Sequence, residues 1–522
     1  MHDVSWVFIA YLIPLLLAGV TLAAQRQPGP NPTHVLGLSR LATWTAFVAS
    51  FMIAGVVFAF GPLVSPVIGW GEFGFSIRLD ALSAVMFWLV AFIGLLVVQF
   101  SRNYLDGDPR HGVFIGRLCL TIAAVILLVL AGNLVQLVAA WIGTSLALHR
   151  LLVFYADRPG AVLAARKKFM VARTSDISLL IAAVLLFRAF GSADLGALAQ
   201  AAAGAREAGV MPAGAGWAAI LIVLAAVLKS AMFPFHGWLL EVMETPTPVS
   251  ALLHAGLLNA GTFLVVRLGE PVILSAPALQ TLMLVGGFTA LFASTAMITQ
   301  SSVKVSLAYS SAAHMGFMLM LCGLGAHNVA IMHLVAHSFY KAHAFLSAGS
   351  VVDYTGAFGG KKFQATPRPL TLAASLLGAL LMYVTVGTLA GIDLTAKPGE
   401  MALGAIFVMA VTFLLVQASN GVRDRFVITR TTLAAGAVTL AFFALELMAA
   451  WILADAVAYF PTPSQATLFV MIFMVVAFAV VLLLNTLRPV MADSPAWRAA
   501  YVHLKHGFYA NTLFDRLIGA LR

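Results

Sequence analysis

Charge is what this chain has least of. Asp, Glu, Lys and Arg together make up 10% of its 522 residues, where a soluble domain carries about a quarter. That excludes a water-facing surface over most of the molecule. Cysteine is almost absent: Cys119 and Cys322 are the two present, each inside an apolar run, which leaves neither a disulfide framework nor a thiolate metal site. There is no glycine-rich phosphate loop, no nucleophile elbow and no Cys/His metal cluster, so an enzyme active site within this chain is not expected.

What is present is apolar sequence. The chain is 61% hydrophobic with a mean hydropathy of +0.99. A spanning helix needs about 20 apolar residues, and such runs recur from Ser5 to Ala24, Leu41 to Phe60 and Asp80 to Phe100, onward to Leu484. The expected fold is an all-α, polytopic integral membrane helix bundle of about 13 to 15 spans, at least one of them broken. The ambiguous spans are the first pair and the stretch Thr432 to Ala456, which Glu446 interrupts.

The net charge of +10 would suggest nucleic acid in a soluble protein, but its distribution points elsewhere. Basic residues fall in alternate connections: Arg26 and Arg40, Arg102 and Arg110, Arg158 with Arg166, Lys167 and Lys168, Lys361 and Lys362 with Arg368, Arg423 to Arg430, and Arg488 onward. For an odd number of spans, this bias places the amino terminus outside and the carboxyl tail in the cytoplasm. Met-His-Asp-Val, the opening residues, lack a basic leader, and the first run reads as a retained helix. The longest polar connection, residues 191–216, is too short for a core of its own. Residues 1–522 therefore read as one transmembrane domain with a short tail over about 488–522.

Ionisable residues inside the apolar runs gather between His149 and Lys341, and such groups normally face a bundle interior or a hydrated path. Lys229 lies within the apolar span Gly216 to Phe235, and Pro234 follows closely, which marks Met232 to His236 as a helix break. A lysine snorkelling to the interface is the competing reading. Glu244 and His254 are available as partners for it. His333, His337 and Lys341 are spaced by four, so they stack on one helix face over about 12 Å. A proton path and a two-histidine zinc site compete for that row, and Leu334, Val335 and Ala336 supply no acid for the metal reading. Lys304, on the helix of His314, either extends the row or anchors at the interface. Arg173 and Asp176, three apart, form an expected structural ion pair.

Several of these stretches together resemble a known family. Lys229-Ser-Ala with Pro234 and Trp238, Thr245-Pro-Thr-Pro-Val-Ser-Ala-Leu-Leu-His254-Ala, Lys304-Val-Ser-Leu-Ala-Tyr-Ser-Ser and His333-Leu-Val-Ala-His337-Ser-Phe-Tyr-Lys341-Ala are similar to the antiporter-like membrane subunits of respiratory complex I, Mrp sodium/proton antiporters and membrane-bound hydrogenases. The resemblance covers roughly residues 80–420. It implies proton or sodium translocation, with Lys229 as the relay lysine and His254, His333, His337 and Lys341 in a polar axis along the membrane.

Two positions depart from the family pattern. Where a glutamate follows the tryptophan of the fifth helix, this chain reads Trp141-Ile142-Gly143. Thr371 to Ile392 lacks the midplane lysine and proline of the second broken helix, the nearest ionisable residues being Asp393 and Lys397. The tail His503-Leu-Lys-His-Gly-Phe-Tyr-Ala-Asn-Thr-Leu-Phe-Asp515-Arg looks closer to one branch, the membrane subunit of the Dab inorganic-carbon accumulation complex. Resemblance to that branch implies a multi-pass protein of the bacterial inner membrane that works beside a large soluble carbonic-anhydrase-like partner on the cytoplasmic side. The zinc would then sit in the partner, with no cofactor and no metal in this chain. A proton-pumping subunit of a complex I, Mrp or hydrogenase-like assembly is the alternative.

Overall fold

The structure is a computed structural model that describes residues 5–242, 245–349, 368–421, 425–458, 460–491 and 494–520. With no water in the hydrocarbon layer to satisfy backbone groups, apolar runs of this length close their hydrogen bonds internally as helices. Thirteen helices among the described residues are long and apolar enough to cross a membrane. They include both members of the ambiguous first pair, α1 (Leu12–Arg26, extended upstream by a 3-10 turn from Ser5) and α2 (Thr33–Phe60). This is a multi-pass integral membrane protein.

The chain continues through α3 (Ala81–Tyr104), α4 (His111–Val129), α5 (Leu134–Leu152), α6 (Pro159–Phe190), α7 (Leu195–Glu207), α8 (Ala215–Lys229), α9 (Gly237–Glu241), α10 (Thr247–Ala255), α11 (Ala260–Arg267) and α12 (Gly269–Ile273). Then follow α13 (Ala276–Met297), α14 (Val303–Gly323), α15 (His327–Leu346), α16 (Pro369–Leu389), α17 (Pro398–Gly421), α18 (Arg425–Ile452), α19 (Gln465–Met491), α20 (Pro495–Lys505) and α21 (Ala510–Ala520). Helix α18 is the span that Glu446 interrupts, and it qualifies as a crossing helix all the same. Helix α15 does not, because four histidines and Lys341 dilute its apolar content.

Among the described residues, two spans are broken. Helix α8 stops at Lys229, Ala231 takes a left-handed backbone with φ of 53°, and the chain becomes helical again at α9, beyond Pro234. The span that carries His254 is broken as well: α10 ends at Ala255, a 3-10 turn spans Leu257–Asn259, and α11 resumes. The sequence marked only the first break. Helix α16, by contrast, runs without interruption.

Three further differences come from local chemistry. Residues 61–80 form two small antiparallel pairs, β1 (Leu63–Val64) with β4 (Arg78–Leu79) and β2 (Ile68–Trp70) with β3 (Phe73–Phe75). The alanine-rich connection 191–216 holds α7, whose start is capped by Asp194 accepting from Gly196 N and Ala197 N. Lys167 and Lys168, read from sequence as loop charges, lie inside α6 and are buried.

Small residues set the closest helix approach, as expected where van der Waals packing drives association. A Cβ on Gly286 of α13 would lie 2.6 Å from the carbonyl oxygen of Gly316 on α14. Near the end of the bundle opposite most of the basic connections, Asp80 caps α3 through Ser83 N at 2.9 Å. It also takes both terminal nitrogens of Arg267, at 2.5 and 3.1 Å, and Nε of Arg78 at 2.7 Å.

Candidate functional site

Lys229, the last residue of α8, turns its ammonium toward α5. Its Nζ donates to Ser145 Oγ at 2.7 Å, Thr144 Oγ1 at 3.0 Å and the carbonyl oxygen of Trp141 at 3.0 Å. The Trp141 ring centroid lies 4.2 Å away, within range of a cation–π attraction. Trp141 is itself fixed, donating through Nε1 to Ser175 Oγ at 3.3 Å, while Ser175 donates to the carbonyl of Ala225 on α8 at 2.9 Å. One helical turn of α5 thus supplies neutral oxygens and a π face to the ammonium, and Ile142 in that turn brings no charge to it.

A second buried cation shares the same serine. Lys168 of α6 donates to the carbonyl oxygen of Ser145 at 2.9 Å and interacts electrostatically with Lys229 and Asp176. Asp176 pairs with Arg173 at 2.6 Å, and its charge also acts on Lys229. The cluster therefore holds Lys229, Lys168 and Arg173 around the Asp176 carboxylate. Lys168 escaped the sequence reading because two adjacent lysines after Arg166 look like a loop signal.

His254 sits on α10 immediately before the second break. Its Nδ1 is 2.8 Å from Ser311 Oγ of α14, and its ring stacks on Phe345 with centroids 4.3 Å apart. Within the break, Asn259 Nδ2 donates to Ser338 Oγ at 2.7 Å. Helix α15 then presents its row: Lys341 Nζ donates to the carbonyl of Leu307 at 2.9 Å, the His337 ring lies 4.8 Å from that of His314, and His314 Nδ1 is 2.9 Å from His333 Nε2. Both nitrogens of His337, Nε2 of His254 and Oδ1 of Asn259 are buried without a hydrogen-bond partner among the described residues.

The remaining sequence candidates separate from this axis. Lys304 lies in the first turn of α14, half-buried. Pro234 lies in the break after α8. Glu244 falls outside the described residues. A carboxylate three residues earlier, Glu241, meets Lys167 Nζ at 2.5 Å. Lys167 also contacts Asn511 Oδ1 at 2.9 Å and the carboxylate of Asp515, so α21 is fastened against α9 and α6. No group of three or more His, Cys, Asp or Glu among the described residues is arranged to hold a metal.

The comparison with known proteins decides the family. The profile described as NADH:quinone oxidoreductase/Mrp antiporter, TM, matches residues 131–416, and that of the complex I chain 5 N-terminus matches residues 68–115. The chain belongs to this antiporter-like family. Among its members, the "Probable inorganic carbon transporter subunit DabB2" of Halothiobacillus neapolitanus is 34% identical over 99% of this chain and 94% of its own length. The "Probable inorganic carbon transporter subunit DabB" of Hydrogenovibrio crunogenus is 34% identical over 80% of this chain and 77% of its own. NADH-quinone oxidoreductase subunit L of Mycobacterium tuberculosis is 33% identical over 77% of this chain and 64% of its own. A chain of the Mrp complex from Dietzia sp. superimposes with a TM-score of 0.65 over 98% of this chain and 59% of that one, at 24% identity; it shows a shared antiporter-like fold.

Proposed function

We propose that this antiporter-like subunit conducts protons or sodium ions along the row Lys229, His254, Lys341, His337, His333, and that the gradient drives inorganic-carbon accumulation. The observation that carries the ion path is the run of buried ionisable and hydroxyl groups from the α5–α6–α8 cluster to the His314–His333 pair. Buried polar atoms without protein partners are sites where ordered water is held, and His254, Asn259 and His337 supply them at intervals along the row. Ser145, Ser311 and Ser338 place hydroxyls beside the lysines and histidines, able to donate and accept in turn. Lys304 opens the helix that carries Ser311 and His314, and Glu244 precedes the helix of His254 in sequence; we assign both to the approach to this row.

The carbon coupling rests on the names carried by relatives that match this chain over most of its length. In this reading the chain is no enzyme. Hydration of carbon dioxide to bicarbonate belongs to a large soluble zinc-containing partner at the cytoplasmic face of a bacterial inner membrane, and the lipid bilayer and the ion are this chain's own partners. The match to subunit L of M. tuberculosis favours a second reading, a pump subunit of a complex I or Mrp-like assembly.

Extraction of the tagged protein from its own membrane in mild detergent, followed by identification and metal assay of what accompanies it, separates the two. One large zinc-containing soluble protein supports carbon coupling; flavin or iron–sulfur proteins with several antiporter-like subunits support the pump. Inorganic-carbon uptake that survives both Lys229→Ala and His337→Ala would remove the ion path altogether.

A further inference from the structure

A cavity of about 780 Å³ opens between α13, α14 and α15 on one side and α17, α18 and α19 on the other. The His314–His333 pair forms part of one wall, Glu446 of α18 part of the facing wall, and Ser294, Ser310 and Asn485 add hydroxyl and amide groups to an otherwise apolar lining. Its volume is many times the roughly 30 Å³ that one water occupies in the liquid. We propose that Glu446 is the carboxylate through which the ion path leaves the histidine pair toward the membrane face opposite the basic connections. The proposal rests on the conduction reading above and names its outlet.

Helix direction supports the placement. His333 is six residues from the start of α15 and Glu446 six from the end of α18, about 9 Å of helix in each case. Those two helix ends lie on the same face of the bundle, because successive spans alternate in direction, so His333 and Glu446 stand at similar depth across the cavity. Glu446 makes no hydrogen bond and no ion pair among the described residues, and a carboxylate kept inside a membrane span marks an ion pathway by default. The charged groups that act on it are Glu400 and Lys397, with the Tyr383 hydroxyl of α16 also near. Lys397 and Glu400 pair at 2.7 Å where α17 begins, and Lys397 is 61% exposed.

A proton released by the imidazole pair crosses the cavity on water and neutralises the Glu446 carboxylate. Release toward the Lys397–Glu400 pair then restores the charge. A carboxylate also suits a sodium ion, with the same residues in the same order. This outlet uses no midplane lysine, which fits a chain whose α16 contains none.

The test compares ion flux in liposomes containing the complex as extracted from its own membrane, with Glu446→Gln, Glu446→Asp and Lys229→Ala. In parallel, Ala441→Cys on the cavity wall is exposed to a charged, membrane-impermeant thiol reagent. We expect Glu446→Gln to lower flux by about tenfold or more, as loss of a positioned proton carrier does, Glu446→Asp to retain part of it, and Ala441→Cys to react. Full flux in Glu446→Gln with flux abolished in Lys229→Ala overturns the outlet and leaves the conduction reading standing. Full flux in both overturns the conduction reading itself. Labelling of Ala441→Cys by a lipid-soluble maleimide alone shows a cavity filled by lipid chains and also overturns the outlet.

Discussion

The Ser230 hydroxyl donates to the carbonyl of Leu258 at 3.2 Å, so the break that follows Lys229 and the break that follows His254 face each other. Broken helices expose backbone groups that lipid cannot satisfy, and they persist where protein or water takes up those groups. Here a side chain of the first break satisfies a backbone carbonyl of the second. Gly261 permits this, since a Cβ there would collide with the Ser230 hydroxyl.

Removal of Ser145's hydroxyl tests the solvation of the Lys229 ammonium. Hydrogen bonds to charged groups contribute about 1.5–3 kcal/mol, so Ser145→Ala should slow ion flux by about tenfold or more while leaving insertion and yield unchanged. Thr144→Val should act in the same direction, and the pair together should exceed either alone. Flux measured in liposomes with a pH-sensitive dye decides it.

Asp80→Asn should destabilise the bundle strongly. The Arg267 side chain is 4% exposed, and leaving one member of a buried ion pair unpaired costs about 3–5 kcal/mol. Burial alone would raise the Asp80 carboxyl, but the charge and hydrogen bonds of Arg267, with those of Arg78, outweigh it and hold the group well below the usual carboxylate range. A depressed folded value contributes stability that is fully present above the unfolded carboxylate range and is lost as pH falls through the folded one. Thermal unfolding in detergent should therefore show an acid-side loss in the parent that is weaker in Asp80→Asn.

Lys167→Met should release the tail. It removes the shared partner of Glu241, Asn511 and Asp515, leaving the bond from Asn511 to Glu241 at 2.7 Å. Limited trypsin digestion should then cut at Lys505 or Arg516 roughly tenfold faster than in the parent, the scale of one charge-assisted hydrogen bond. Equal digestion rates would show the tail held by its apolar contacts, such as Phe508 against Phe292 at 5.5 Å.

Gly316→Leu should separate α13 from α14. A Cβ at that position already lies 2.6 Å from the carbonyl oxygen of Gly286 and 2.8 Å from Ala290 N, backbone atoms that cannot rotate away. Overpacking of this kind costs about 1–3 kcal/mol, visible as a lowered Tm, with flux reduced because α14 carries Ser311 and His314.

The lysine and histidine row was legible because periodicity alone stacks residues spaced by four on one helix face, and because titratable groups stand out in apolar sequence. The first break was legible from Pro234. The second was not, since Gly256-Leu-Leu-Asn259 contains no proline and reads as continuous helix; it bends where Gly256 has no side chain and Asn259 can spend its amide on Ala255 O and Ser338. Lys168 was misplaced for a related reason. Next to Arg166 and Lys167 it looked like a loop charge, yet helix geometry turns adjacent residues about 100° apart, so Lys167 meets the tail and Lys168 meets Ser145.

The sequence by itself determined that the chain lives in a membrane, that it does so as helices, and that one lysine-and-histidine series runs through its middle. Hydropathy and backbone hydrogen bonding act locally, so those conclusions follow from residue order. Tertiary structure decided which groups meet. Ser145 serving two lysines, Asp80 gripping Arg267 across 187 positions, Lys167 gathering Glu241 and Asp515, and Glu446 facing His314 and His333 across one cavity all join residues distant in the chain. Their pairing is fixed by how the helices pack, which no local pattern encodes.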